Sequence, residues 1–353
     1  MRMRLGVLSC ALLVLLSDRT SAQAPPESTP EPQAAPAQRV PVELFTAPQA
    51  KKIDMESFPH SELDREGWVE LAFMVDKGGK PFEVTVIRST GNPTFEKVAV
   101  RSIEHSTFEP AMLNGAPIES GTEMKYLFKN ARFEQSPGAQ PGFVKYYKAL
   151  GKAVTSGDRT AADEAMQKLQ VTNLYEDAYF GVASYLYATK FGNEEQQLEG
   201  LRRAIAREDT AHYLPRDLFR FALFNCMQLE VKHLQYAEAE TTWKRMQKVN
   251  LDKDTYERLQ RQVAKLETIR NDDTTYSVPG QISDKNWYLH LFKRRFMAEV
   301  HSGYISEVRL RCDKRYWFFH FDPALHYEIN RNDGQCSIEL VGAPGTQFKL
   351  MQF

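Results

Sequence analysis

The stretch from Gly67 to Ile87 limits the fold more than any other part of this chain. Gly67-Trp68-Val69-Glu70-Leu71-Ala72-Phe73-Met74-Val75 partly alternates and is rich in strand-forming residues. Asp76-Lys77-Gly78-Gly79 is a strong turn signal, and Phe82, Val84 and Val86 then share one face of a second strand. Asn92-Pro93 opens a helix, because Asn caps a helix and Pro is tolerated at its first position. Phe95, Val98, Ala99, Ser102 and Ile103 place one mainly apolar stripe on that helix. With Met124 to Phe128 as a third strand, the order is β-β-α-β, in which one helix covers a small sheet.

The rest of the chain changes character twice. Residues 141–273 carry helical periodicity: Gly142 to Val154, Leu174 to Thr189, Glu194 to Ala206, Arg216 to Leu229, Gln235 to Lys248 and Asp254 to Ile269. Arg216 to Leu229 is apolar nearly all round, which predicts a buried central helix. Ala239, Trp243 and Met246 fall at the spacing of a tetratricopeptide second helix, and Gln197, Leu201 and Ala204 do so in part, so the region resembles a degenerate tetratricopeptide-type array. Tyr175, Tyr179, Phe180, Tyr185 and Tyr187 line a peptide groove or fill a core. Val278-Pro279-Gly280 reads as a boundary. After it come six short β-type runs, from Phe296 to Met351, separated by turn residues, which suggests a small β-sandwich or barrel. The fold class is multidomain α+β, with folded parts at 50–132, 141–273 and 274–353.

Residues 1–24 read as a signal peptide: Arg2 and Arg4 precede a twelve-residue apolar core, Leu5 to Leu16, and Ala22-Gln23-Ala24 offers a cleavage site. The core is too short to span a bilayer. Residues 25–49 read as a linker, Pro-rich over Pro25 to Val42 and therefore extended. Removal of residues 1–24 shifts the net charge from −1 to −3. Neither value suits a nucleic-acid binder. The expected compartment is the periplasm. Cys226, Cys312 and Cys336 remain after cleavage. Cys312 and Cys336 lie 24 positions apart in the same β-rich part and are expected to pair, leaving Cys226 as a buried thiol.

The chain shows no acid/base pair, no nucleophile beside a base, no Gly-rich phosphate loop, and no His-x-x-x-His or Cys-x-x-Cys spacing. It reads as a non-enzyme without metal, cofactor or small-molecule substrate.

The first folded part resembles the C-terminal domain of TonB-family energy transducers. The residues that carry this are Phe58-Pro59, Gly67 to Asp76, Gly79, Val84-Thr85-Val86, Ser89-Thr90-Gly91-Asn92-Pro93, Phe95-Glu96, Ala99, Phe108-Glu109-Pro110-Ala111 and Asn114-Gly115-Ala116-Pro117-Ile118. The chain departs from the family at several points: its N-terminal segment reads as cleavable and carries no histidine, and its Pro-rich stretch is short. Met55-Glu56 stands where the family often has Gln-Pro, Thr107 stands for a usual Trp, and about 220 residues follow the domain.

The resemblance implies a protein-binding role in outer-membrane transport, with a TonB-dependent receptor as partner. It also implies that a partner strand adds to the edge of the last strand, at Thr122, Glu123, Met124, Lys125, Tyr126, Leu127 and Phe128. The alternatives are an envelope scaffold that binds proteins through its helical array, and an extension that folds back over this edge.

Overall fold

The computed structural model describes residues 43–135 and 138–353. The expected signal peptide and residues 25–42 of the expected linker lie outside the described residues.

The first part begins with two short strands, β1 (Phe45–Thr46) and β2 (Gln49–Lys52). Both fall in or across the end of the stretch read as linker. β1 pairs with a later strand at Leu113 and Met112, and β2 pairs at Glu109 to Thr107. Both become strands through pairing with residues more than 50 positions away, with Pro48 between them.

β3 (Gly67–Val75) and β4 (Pro81–Ser89) form the expected hairpin, followed by α1 (Pro93–Glu104). The turn is held by Asp76, whose Oδ1 accepts from the N–H groups of Gly78 and Lys80, both at 2.8 Å. Gly79 stands at φ 83°, in the left-handed region that glycine enters without strain. Asn92 caps α1 by accepting from Thr94 N and Phe95 N, at 2.9 and 3.2 Å. Three short strands, β5 (Thr107–Glu109), β6 (Ala111–Leu113) and β7 (Ala116–Ile118), lead to β8 (Ser120–Phe128). The main sheet of this part runs β4-β3-β8. Val69, Leu71, Phe73 and Val75 of β3 pack with Phe95, Val98, Ala99 and Ile103 of α1 and with Tyr126 and Phe128 of β8.

The helical part holds α2 (Ala131–Gln135), α3 (Pro141–Ser156), α4 (Arg159–Lys168), α5 (Leu174–Phe191), α6 (Glu194–Ile205), α7 (Glu208–Ala211), α8 (Arg216–Lys232), α9 (Tyr236–Met246) and α10 (Lys253–Asn271). Three successive hairpins, α3–α4, α5–α6 and α8–α9, organise it. The first was not legible, because the short α4 buries only alanines at Ala162 and Ala165. Gly181 and Gly200 let α5 and α6 approach until backbone meets backbone. α8 departs from the expected all-round burial. It buries one face, at Ala222, Leu223, Cys226, Met227 and Glu230, while Phe221 is 47% exposed. The aromatic run from Tyr175 to Tyr187 is half-buried throughout.

The C-terminal part is a pair of four-stranded antiparallel sheets. Its strands are β9 (Tyr276–Gln281), β10 (Asn286–His290), β11 (Arg295–Ser302), β12 (Ile305–Cys312), β13 (Tyr316–His320), β14 (Tyr327–Glu328), β15 (Cys336–Gly342) and β16 (Gln347–Gln352). One sheet runs β10-β15-β12-β13, the other β14-β11-β16-β9. The supposed boundary Val278-Pro279-Gly280 lies inside β9. That strand is at an edge, where a proline costs no ladder bond. Cys312 and Cys336 stand opposite each other in the β12–β15 register and form a disulfide, and Cys226 is a buried free thiol. Residues 43–353 form one compact unit. No described helix is long and apolar enough to cross a membrane.

A candidate strand-docking edge

β8 is the last strand of its sheet, and backbone geometry tells which of its residues face outward. Thr90 N–H donates to Trp68 O at 3.0 Å, and Asp76 N–H donates to Lys80 O at 2.9 Å. The even-numbered residues of β3 therefore turn their backbone groups towards β4, and the odd-numbered ones towards β8. In the β3–β8 register, Met74, Ala72, Glu70 and Trp68 stand opposite Gly121, Glu123, Lys125 and Leu127. Those four residues of β8 point their N–H and C=O groups away from the sheet.

The seven residues expected to bind a partner thus divide in two. Thr122, Met124, Tyr126 and Phe128 give their backbone groups to β3, and Met124, Tyr126 and Phe128 pack in the core under α1. Glu123, Lys125 and Leu127 present the free edge. Among the described residues, the outward backbone groups of β8 have no partner beyond Ser120 Oγ at the Gly121 carbonyl.

The two edges of the sheet differ in protection. β8 pairs with β3 without a register break over nine residues. β4 shifts register against β3 twice, begins at Pro81, and holds Glu83 at φ 51°. Bulges and an edge proline hinder the addition of a further strand, and β8 has neither.

The extension packs on the face of the sheet opposite α1. Trp68, Ala72 and Met74, on the side of β3 away from α1, are buried. Trp68 Nε1 donates to Asp177 Oδ2 in α5 at 2.8 Å, and Arg203 of α6 holds Oδ1 at 2.7 Å. On β4, Thr85 Oγ1 donates to Glu339 in β15 at 2.9 Å. The start of β8 borders an open cleft of about 600 Å³, shared with α9, α10 and the Cys312–Cys336 region.

The outward residues of β8 are tied to the extension through their side chains. Lys125 Nζ donates to Ala206 O at 2.7 Å and lies 3.5 Å from Glu70. Burial holds its ammonium below the ordinary range, against the pull of Glu70. Glu123 Oε1 accepts from Tyr288 OH at 2.6 Å and lies 2.7 Å from His290 Nε2. The other ring nitrogen of His290 is 3.1 Å from Glu238 Oε1 in α9. A carboxylate can only accept, so two carboxylates on one imidazole call for both nitrogens protonated. Burial works against that charge, but the bonds to Glu123 and Glu238 prevail and lift His290 to about 10. Burial likewise works to raise Glu123 and Glu238, and His290 holds both below the ordinary carboxylate range. Tyr288, Glu238 and His290 were not singled out from the sequence, since they stand more than 100 positions from Glu123 and form no local pattern.

Residues 60–129 match the family model for the Gram-negative bacterial TonB protein C-terminal region. A solved structure of the TonB2 protein from Vibrio anguillarum is similar at 26% identity, over 32% of this chain and 97% of that one, with a TM-score of 0.18. No curated protein matches. Residues 60–129 of this chain are a TonB C-terminal-type domain, built into a larger α+β unit.

Proposed function

We propose that this chain is a non-enzymatic protein of the periplasm that acts in outer-membrane transport by docking an extended segment of a partner along the outer edge of β8. The family match supports a TonB-type role and protein partners. The observation that carries the reading is the contrast between the edges: β8 offers an unbroken nine-residue ladder, while β4 is bulged and begins with proline. Backbone pairing at Gly121, Glu123, Lys125 and Leu127 supplies affinity, and the side chains beside that edge select the partner. A TonB-dependent outer-membrane receptor is the partner of choice, through a short extended segment on its periplasmic side.

The test is fluorescence anisotropy of labelled receptor-derived peptides with the full chain. Saturable binding is expected, with protection of the β8 amides from hydrogen exchange. Absence of binding by every such peptide, or protection confined to the helical part, removes the reading. The second outcome favours a scaffold role for the three helical hairpins.

A further inference from the structure

We propose that the outer edge of β8 selects a partner segment in which an acidic and a basic residue stand two positions apart, the acidic one beside Lys125 and the basic one beside Glu123. This rests on the docking role proposed for that edge and names the chemistry of its partner.

Two successive outward residues of β8 sit in charge clusters of opposite sign. Lys125, Glu70 and Arg88 form a row across β8, β3 and β4, because the two registers set Glu70 opposite both cations. Glu70 lies 2.9 Å from Arg88 Nη2 and 3.5 Å from Lys125 Nζ. One carboxylate serves two cations, and one positive charge is left over. At Glu123 the count is reversed. His290 lies 2.7 Å from Glu123 and 3.1 Å from Glu238, so one imidazolium serves two carboxylates and one negative charge is left over. Among the described residues, no other ion pair reaches any of these six side chains. The nearby pairs Arg245–Asp209 and Arg202–Glu230 are each neutral.

Strand addition brings both surpluses to the partner. Glu123 and Lys125 direct their side chains to the face opposite α1, and the partner residues beside them do the same, with Cβ atoms about 5 Å away. Successive residues on one face are about 6.8 Å apart, so each partner side chain meets one surplus. The side chains of Lys125 and Glu123 are 23% and 34% exposed, which leaves both within reach. A partner carboxylate beside Lys125 gives the row its second anion. A partner ammonium or guanidinium beside Glu123 gives that cluster its second cation. Opposite charges side by side on neighbouring strands attract, and like charges repel. The flanking outward residues, Gly121 and Leu127, carry no charge, so selection by charge is confined to two positions. His290 and Glu238 belong to β10 and α9, so the extension supplies part of the recognition from outside the TonB-type domain. In an antiparallel partner the acidic residue comes first along the chain, and in a parallel partner it comes second.

Short threonine- and valine-rich peptides test the proposal, with Glu-x-Lys, Lys-x-Glu, Glu-x-Glu, Lys-x-Lys or Thr-x-Thr at the centre. Each is titrated against the full chain by fluorescence anisotropy. One of the two mixed peptides should bind roughly ten-fold more tightly than either like-charged one, and which one wins reports the strand direction. The advantage should shrink as ionic strength rises. Lys125→Gln leaves Glu70 balanced by Arg88. It should abolish the advantage over Lys-x-Lys and keep the advantage over Glu-x-Glu. An unchanged thermal transition shows that this variant folds, and if it does not, the five affinities of the wild-type chain decide. Equal affinity for all five peptides overturns the proposal and leaves the docking role standing. Binding by none of them removes both.

Discussion

Arg311 in β12 donates from Nε and Nη2 to the carbonyl oxygen of Glu83 in β4, at 3.2 and 2.9 Å, where Glu83 stands at φ 51°. Left-handed backbone at a non-glycine residue carries strain, and it persists where the surroundings hold it. Here the holding contact joins the TonB-type domain to the C-terminal sheet. The same guanidinium lies 2.7 Å from Glu339 Oε2, and both side chains are buried. Glu339 also takes bonds from Thr85 and from Asn286 Nδ2, at 2.9 and 2.5 Å.

Removal of the cation alone is therefore expected to be costly. Arg311→Ala leaves Glu339 charged and buried, and should lower unfolding stability by about 3–5 kcal/mol. Replacing Arg311 and Glu339 together by methionine should cost less, because neither buried charge of that pair is then left without its partner. Urea unfolding of the two variants measures the difference. A double variant as unstable as Arg311→Ala would refute the pairing as the source of the cost.

The Glu123–His290–Glu238 cluster predicts a pH window for the contact between β8, β10 and α9. His290 is raised from 6.5 to about 10, so its contribution is fully present below 6.5 and is lost as pH rises through about 10. Glu123 and Glu238 are lowered from 4.5, so theirs is present above 4.5 and is lost as pH falls through the depressed values. Thermal stability of the chain should peak between these limits. His290→Gln should flatten the alkaline side of the profile. An alkaline limb identical in wild type and variant would show that another group governs it.

The disulfide offers a third measurement. Cys312 and Cys336 close a loop 24 positions long, which in the chain-entropy model contributes roughly 3–4 kcal/mol. Cys312→Ser with Cys336→Ser should lower stability by about that amount. Peptide mapping without reductant should find Cys226 unmodified. Cys226 in a bridge with either partner would contradict the structure.

Much of this architecture is legible from local signals. The helix stripe read as Phe95, Val98, Ala99, Ser102 and Ile103 is the set that α1 buries. The turn at Asp76 to Gly79 and the cap at Asn92 are local chemistry, complete within a few residues. What escaped reading depends on distant partners. β9 was missed because Pro279 looks like a break until an edge position accommodates it, and β10 is a five-residue run whose pairing is with distant β15. β1 and β2 become strands only through pairing with β6 and β5. Covering of the sheet face rests on pairs such as Thr85 with Glu339, 254 positions apart, which no periodicity announces. At the candidate site, the edge followed from resemblance, but its division into inward and outward residues needed the β3–β4 hydrogen bonds.

That division makes neighbouring residues of β8 separable by one substitution. Met124 turns its N–H to β3 and its side chain into the core under α1. Met124→Pro removes a ladder bond and buried contacts, and should cost about 3 kcal/mol or more. Lys125 turns its N–H outward, opposite Glu70. Lys125→Pro leaves the β3–β8 bonds in place and loses the bond to Ala206 O and the contact with Glu70, together about 1–2 kcal/mol. The chain should then stay folded while peptide capture disappears, because a partner strand meets no donor at its centre. Guanidinium unfolding and anisotropy on both variants read the two effects side by side. If Lys125→Pro binds peptide as well as wild type does, strand addition at this edge is excluded. If both prolines destabilise equally, the inward and outward alternation drawn for β8 is wrong.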